Sequence, residues 1–349
     1  MRGAERLVVG VLGASGYTGA ETLRLLARHP KLAIGPVCAN AQAGRLLAEV
    51  FPHLAELGDR RLEAIEAVDW NACDVVFSCL PHGSSQDVIE QLPARVTVID
   101  LSADYRFRDA SVYEATYGVK HKAPARSRRA VYGLTEFARE ALADADLVAC
   151  PGCYPTATLL TLLPLVKAGL IAADRLIIDA KSGVSGAGRG LKEANLFCEA
   201  AEGLHAYSVG NHRHAPEIEQ ELSHAAGRPV MVSFTPHLVP MTRGEYVTIH
   251  ADLVAGADAA AARAALEAAY AGEPFVHVLK PGAVPDTRHV RGTNRAAIAM
   301  VADRVPGRII LIGAIDNLVK GSGGQAIQNL NVMMGWTETL GLDLPALFP

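Results

Sequence analysis

The sequence predicts an α/β protein of two domains, a doubly wound parallel sheet followed by an α+β domain with a mixed sheet. Three observations predict it. The first 150 residues alternate short β-branched runs with helix-periodic stretches. The remainder carries longer alternating runs of the kind that suit an antiparallel or mixed sheet. A chain of 349 residues also exceeds the size at which a single hydrophobic core usually keeps growing.

Taken in order, residues 7–12 read as a strand, GASGYTG as a turn, residues 18–28 as a helix with Leu23, Leu25 and Leu26 on its apolar side, and residues 32–38 as a strand. Apolar runs at 75–79, 96–101 and 147–150 end in turn or polar residues, as buried parallel strands do. Residues 159–171 are interrupted by Pro164 and Lys167 and are too short to span a bilayer, so they read as a buried helix. Strands are expected at 230–238, 245–253, 295–301 and 308–315. A surface helix is expected at 257–271 and a closing helix at 321–334, with glycines at its start. The expected domains are 1–150, 151–318 and a returning segment 319–349.

Composition narrows the function classes. Half the residues are apolar and a fifth charged, which excludes a disordered chain. A net charge of −4 supplies no basic field for nucleic acid or an acidic membrane, which favours small-molecule chemistry. The opening MRGAERLVVGVLG lacks an apolar run before a small-residue cleavage site, and the six cysteines lack the density of a secreted scaffold. A cytoplasmic enzyme with reduced thiols is the expectation.

Gly13, Gly16 and Gly19 fall between a predicted strand and helix, where glycine lets backbone approach a pyrophosphate and the helix start aims its amides at the anion. The plainer reading is a tight strand-to-helix turn. The second strand ends at Val37, Cys38, Ala39 and Asn40 without an acid to hold a ribose 2′-hydroxyl, which favours NADPH/NADP+ over NAD. Arg45 is the candidate for the 2′-phosphate, with simple solvation as the alternative.

Cys153 stands in CPGCYPTATLLTLLP, where an early proline and a long apolar run place the thiol at a helix N-terminus. That position lowers a thiol pKa and offers amides to an oxyanion. Cys38, Cys73, Cys79 and Cys198 read as buried core residues. The pair His212 and His214 resembles half a metal site on an extended segment, but no further ligands follow at recognisable spacing, so no metal is expected.

These residues, with CLPHG at 79–83, DLSADYR at 100–106, VYGLTE at 131–136, SGVSGAGR at 182–189, NHRHAPEI at 211–218 and DNLVKGSGGQA at 316–326, resemble the N-acetyl-γ-glutamyl-phosphate reductase family of arginine biosynthesis, relatives of aspartate-semialdehyde dehydrogenase. The resemblance covers nearly the whole chain. It implies a Rossmann-type NADP domain, a catalytic and dimerisation domain, a C-terminal helix returning to the first domain, and a homodimer or homotetramer. It makes Cys153 the nucleophile that accepts an acyl group from an acyl phosphate, and His214 the acid/base. Such a thioester accepts a hydride, and a histidine near neutrality suits both proton transfers. The resemblance also implies cofactor contacts at Gly13, Ser15, Gly16, Tyr17, Thr18 and Gly19, at Leu80 and Pro81, and at Ser182, Gly183 and Asn317. Arg106 is the candidate phosphate ligand, or else a salt-bridge partner of Asp104 or Asp109. Arg213 and Glu217 either contact the substrate carboxylate and acetamido group or orient His214.

Three rivals remain at this point. CPGC at 150–153 fits a dithiol oxidoreductase. A non-catalytic NADP-binding sensor would bind cofactor without turnover. A reductase of carrier-bound aminoadipyl phosphate would need a cationic rim, for which Arg126, Arg128 and Arg129 are the candidates.

Overall fold

The computed structural model describes residues 6–348, and they divide into two compact units. One holds the chain up to Pro151 together with Ser322–Asp343, and the other holds Gly152–Gly321 with the tail from Leu344. The expected returning segment 319–349 is thus shared, its last residues grouping with the second unit.

The first unit is built on a six-stranded, all-parallel sheet. Its strands are β1 Leu7–Leu12, β2 Leu32–Cys38, β3 Val75–Ser78, β4 Thr97–Asp100, β5 Val131–Tyr132 and β6 Leu147–Ala149, in the order β2-β1-β3-β4-β6-β5. Val9, Val11, Leu12, Val76, Phe77, Val98 and Ile99 are fully buried, which is why these runs are apolar without alternation. The helix Tyr17–Leu26 follows β1 and buries Leu23, Leu25 and Leu26. The strand order reverses between β1 and β3, so the loops after those two strands flank a switch point, where doubly wound folds bind ligands. The closing helix Gly324–Met333 is held by Asn329, whose amide donates to Gly133 O at 2.8 Å and whose oxygen accepts from Thr135 Oγ1 at 2.6 Å.

The second unit carries β7 Ile177–Gly183, β8 His205–Ala206, β9 Ser233–Val239, β10 Glu245–Asp252, β11 Val276–Val278, β12 Ala296–Ala302 and β13 Arg308–Ile315. They form a mixed sheet in the order β11-β12-β13-β10-β7-β9-β8. Buried residues alternate with half-buried ones along β10, so one face is covered more fully than the other. The helix Cys153–Lys167 packs on β10, β12 and β13 and is buried continuously from Tyr154 to Val166. Gly313 permits that approach, since a Cβ there would sit 2.5 Å from Thr161 Oγ1. Pro164 stays inside this helix rather than ending it. The expected surface helix is Ala259–Ala269, anchored by buried Ala262 and Leu266. Among the described residues no helix is long and apolar enough to cross a membrane.

Candidate active site

Cys153 is the first residue of its fifteen-residue helix, as its proline and apolar run predict. The Gly152 cap supplies no side chain and the first turn holds no acid, so no residue of the helix itself offsets the positive end of its dipole at the sulfur. Gly321 packs directly behind it; a Cβ there would lie 2.8 Å from Cys153 Cβ. Cys153 is partly exposed and opens into a cavity of about 380 Å³, lined also by Lys192, Tyr207, His212, Arg213 and His214. The second unit therefore brings together Cys153, His214 and Arg213.

His212 and His214 do not share an extended segment, because His214 begins the helix His214–Ala226. His212 Nδ1 accepts from the His214 backbone amide at 3.2 Å. Its ring packs among Tyr154, Tyr207 and Phe234 at centroid distances of 5.5, 5.3 and 5.4 Å. Burial, reinforced by the Arg213 charge, pushes His212 down to about 4, so it is neutral near pH 7. Glu217, expected either to contact the substrate or to orient His214, is fully buried and does not line the cavity. Its Oε1 accepts from the Gly152 amide at 2.8 Å, joining the His214 helix to the residue before Cys153.

The glycine-rich stretch is also a built element. Ser182 lies 2 % exposed at the end of β7 and lines the cavity. Gly183 passes so close to Met241 and Thr242 that a Cβ would meet their backbone at 2.9 Å. Asn317, the residue expected at the nicotinamide, has a buried side chain. Its oxygen accepts from Gly244 N at 2.8 Å and its nitrogen donates to Ser185 Oγ at 2.9 Å. It braces the loop after β7.

In the first unit the nucleotide candidates gather at the switch point. Gly13 has φ +72°, and a Cβ there would strike Cys79 O at 2.4 Å, so the turn holding Ser15, Tyr17 and Thr18 lies against the loop of Leu80 and Pro81. Gly19 sits equally close to Gly13 O at 2.5 Å, whereas Gly16 meets only Gly13 O, at 3.6 Å. The helix start has neither a side-chain cap nor an acid in its first turn, the donor set an anionic pyrophosphate requires.

Beyond β2, Arg45 is exposed and donates to Gln42 Oε1 at 2.8 Å. Leu46 bridges to Arg61, and Arg60 donates to Gly35 O at 3.1 Å, so three arginines gather at this end. The same excursion pairs Glu63 with Cys38, placing an acid near the strand end that the local sequence lacks.

Arg106 is tied to the backbone. Its Nε donates to Cys150 O at 2.8 Å and its Nη2 to Leu101 O at 3.0 Å, fixing it at the ends of β6 and β4. Beside it, burial raises Asp100 to about 6 against hydrogen bonds from Ser102. Asp104 instead accepts from Gly83 N, Ser85 Oγ and Tyr113 OH.

Of the other thiols, Cys38 and Cys73 are buried, burial raising them to about 12 and about 11, and partly exposed Cys79 is likewise raised to about 12. Cys198 departs from expectation. It is exposed, on the short helix Phe197–Ala200. Cys150 is 1 % exposed, and burial pushes its thiol well above the ordinary range. Arg126 pairs with Glu90 at 3.3 Å and Arg129 with Asp146 at 3.5 Å, which partly neutralises the imagined cationic rim. Sequence reasoning missed Lys192 and Tyr207 at the cavity; the only signal for Lys192 was its place just after the glycine-rich SGAGRG.

Comparison with known proteins fits this geometry. Residues 8–145 match the semialdehyde dehydrogenase NAD binding domain, and residues 153–317 the semialdehyde dehydrogenase dimerisation domain. The chain is 57 % identical, over 99 % of its length and all of the other protein's, to an N-acetyl-gamma-glutamyl-phosphate reductase of Rhodospirillum rubrum. It is 51 % identical to a probable chloroplastic N-acetyl-gamma-glutamyl-phosphate reductase of Oryza sativa subsp. japonica, over all of this chain and 84 % of that one. Among solved structures, aspartate semialdehyde dehydrogenase II of Vibrio cholerae superposes with a TM-score of 0.72 at 16 % identity, covering 95 % of this chain and 99 % of that one. The Candida albicans aspartate semialdehyde dehydrogenase with NADP gives 0.67 at 17 %, covering 95 % and 99 %. These two share the fold.

Proposed function

The chain belongs to the N-acetyl-gamma-glutamyl-phosphate reductase family of oxidoreductases, and on that premise we propose that it reduces N-acetyl-L-glutamyl 5-phosphate to the 5-semialdehyde, with NADPH as reductant and a thioester on Cys153. One observation carries the reading: Cys153 opens a long helix and shares one cavity with His214. His214 takes the thiol proton, the sulfur attacks the acyl carbon, and the carbon–oxygen bond to phosphate breaks. NADPH, when bound, supplies the hydride. His214 then protonates the oxygen of the reduced adduct. It withdraws that proton again as the carbon–sulfur bond breaks, releasing aldehyde and returning the proton to sulfur. Backbone amides at the helix start stabilise the oxyanion.

Lys192 and Arg213 supply positive charge at the cavity for the substrate's phosphate and carboxylate. Arg106 serves the phosphate as a guanidinium held rigid by two carbonyls. Glu217 and Asn317 act as positioning residues. The glycine turn fits a pyrophosphate, with Ser15, Tyr17, Thr18, Leu80 and Pro81 around it, and Arg45 with its neighbouring arginines supports NADPH over NADH. The half-covered face of the second sheet supports a homodimer or homotetramer. Six free cysteines support a reducing, cytoplasmic setting.

The test is the reverse assay, phosphate-dependent reduction of NADP+ with N-acetylglutamate semialdehyde against aspartate semialdehyde. Turnover of the first alone is expected. Turnover of neither would reduce the protein to a nucleotide-binding sensor.

A further inference from the structure

Behind the Cys153 sulfur lies a side chain that the mechanism above leaves unused. Glu245 opens β10, paired with Ser182 of β7 on one side and Ile315 of β13 on the other. It is fully buried. Neither carboxyl oxygen has a partner of ordinary hydrogen-bond geometry, although both are shut off from water. The side chain within hydrogen-bonding reach is that of Cys153.

We propose that Glu245 stays a neutral carboxylic acid whose O–H hydrogen-bonds to the Cys153 sulfur and holds it as the thiolate.

A carboxylate in this place would be an uncompensated buried charge, since no Lys, Arg or His is among the groups acting on it. The ionisable groups that face it are Cys153 and Tyr154 from the nucleophile helix and Tyr207 beyond β8. Ser182 and Ile315, opposite it in the sheet, carry no charge. Burial accordingly holds the carboxyl proton well above the usual range. An ionised Glu245 would repel a thiolate, whereas a protonated one gives it a charge-assisted donor that adds to the helix N-terminus. Other buried acids kept neutral act as donors in the same way.

The proton balance closes without Glu245 changing state. The thiol proton goes to His214, and Glu245 keeps its own throughout. The hydrogen bond weakens when acylation neutralises the sulfur and strengthens again as the carbon–sulfur bond breaks, so it favours expulsion of the aldehyde.

This inference rests on Cys153 being the acylated residue, and its test needs no acyl donor. Iodoacetamide alkylation of Cys153 is followed by peptide mass against pH for wild type, Glu245→Gln and Glu245→Leu. In Glu245→Leu the rate at pH 7 is expected to fall about tenfold or more, with the half-point moved to higher pH. The amide of Glu245→Gln is expected to restore the rate to within about threefold of wild type. An unmoved profile in Glu245→Leu overturns the proposal. So does a Glu245→Gln profile that follows Glu245→Leu, because then the carboxylate would be the acting form. Should Glu245→Leu not fold, the infrared difference between wild type and Glu245→Gln decides. A protonated-carboxyl band at neutral pH supports the proposal and its absence overturns it. A normal alkylation result with no acyl adduct would instead remove the proposed function and leave the Glu245 contact standing.

Discussion

The Glu217 carboxylate accepts a hydrogen bond from the Gly152 amide at 2.8 Å, three residues after His214 and one before Cys153. One buried contact thus ties the helix that begins at His214 to the helix that begins at Cys153. Removing a charged acceptor from a buried donor leaves that amide unsatisfied, at a cost of about 1.5–3 kcal/mol. Glu217→Ala is expected to melt at lower temperature and to lose at least about tenfold in kcat, while KM for the acyl substrate changes less. Steady-state kinetics with a thermal melt checks this; a change confined to KM would return Glu217 to the substrate.

Cys150 and Cys153 separate the reductase from the dithiol reading. Cys150 is buried at 1 %, and its sulfur receives a hydrogen bond from Asn329 at 3.8 Å. Cys150→Ser is expected to keep most activity, whereas Cys153→Ser is expected to have none. Equal losses in both variants would favour a dithiol enzyme.

Acid stability reports on His212. Its folded-state value near 4 lies below the ordinary 6.5, so between those values the unfolded chain binds more protons. Stability present above pH 6.5 is therefore lost as pH falls toward 4. Asp100 opposes this. Raised from 3.8 to about 6, it stays protonated when folded, and its contribution is lost as pH rises through that window. Comparing wild type with His212→Gln cancels the Asp100 effect. Wild type is expected to lose on the order of 2 kcal/mol more than the variant between pH 7 and about 4.5 in denaturant titrations. Parallel losses would show that His212 is not held neutral by the fold.

On the proposed function, the preference for NADPH rests on charge beyond β2. Arg45→Ala is expected to raise KM for NADPH about tenfold and to leave KM for NADH within about twofold. Equal effects on both cofactors would assign the nucleotide preference elsewhere, with Glu63 the first residue to examine.

How much of this was legible in the sequence depends on how local each signal is. The Cys153 helix start was readable because Pro155 and the apolar run lie beside it. The glycine turn was readable because it sits between a strand and a helix. The two-residue strand β5 was not, since its pairing comes from β6, whose bonds Val131 and Tyr132 do not announce. Strand β7 was missed because its neighbours, β9 and β10, lie more than fifty residues downstream. The hydrogen bonds of Glu217 and Asn317 were not legible because their partners, Gly152 and Gly244, are 65 and 73 residues away. Exposure of Cys198 and the approach of Glu63 to Cys38 are tertiary facts of the same kind.

The account turns on covalent loading of Cys153, which intact-protein and peptide mass spectrometry on enzyme mixed with N-acetylglutamyl phosphate in the absence of NADPH measures directly. One acyl group on the peptide containing Cys153, discharged when NADPH is added, is the expected result. Full reductase turnover with that sulfur never modified would contradict it.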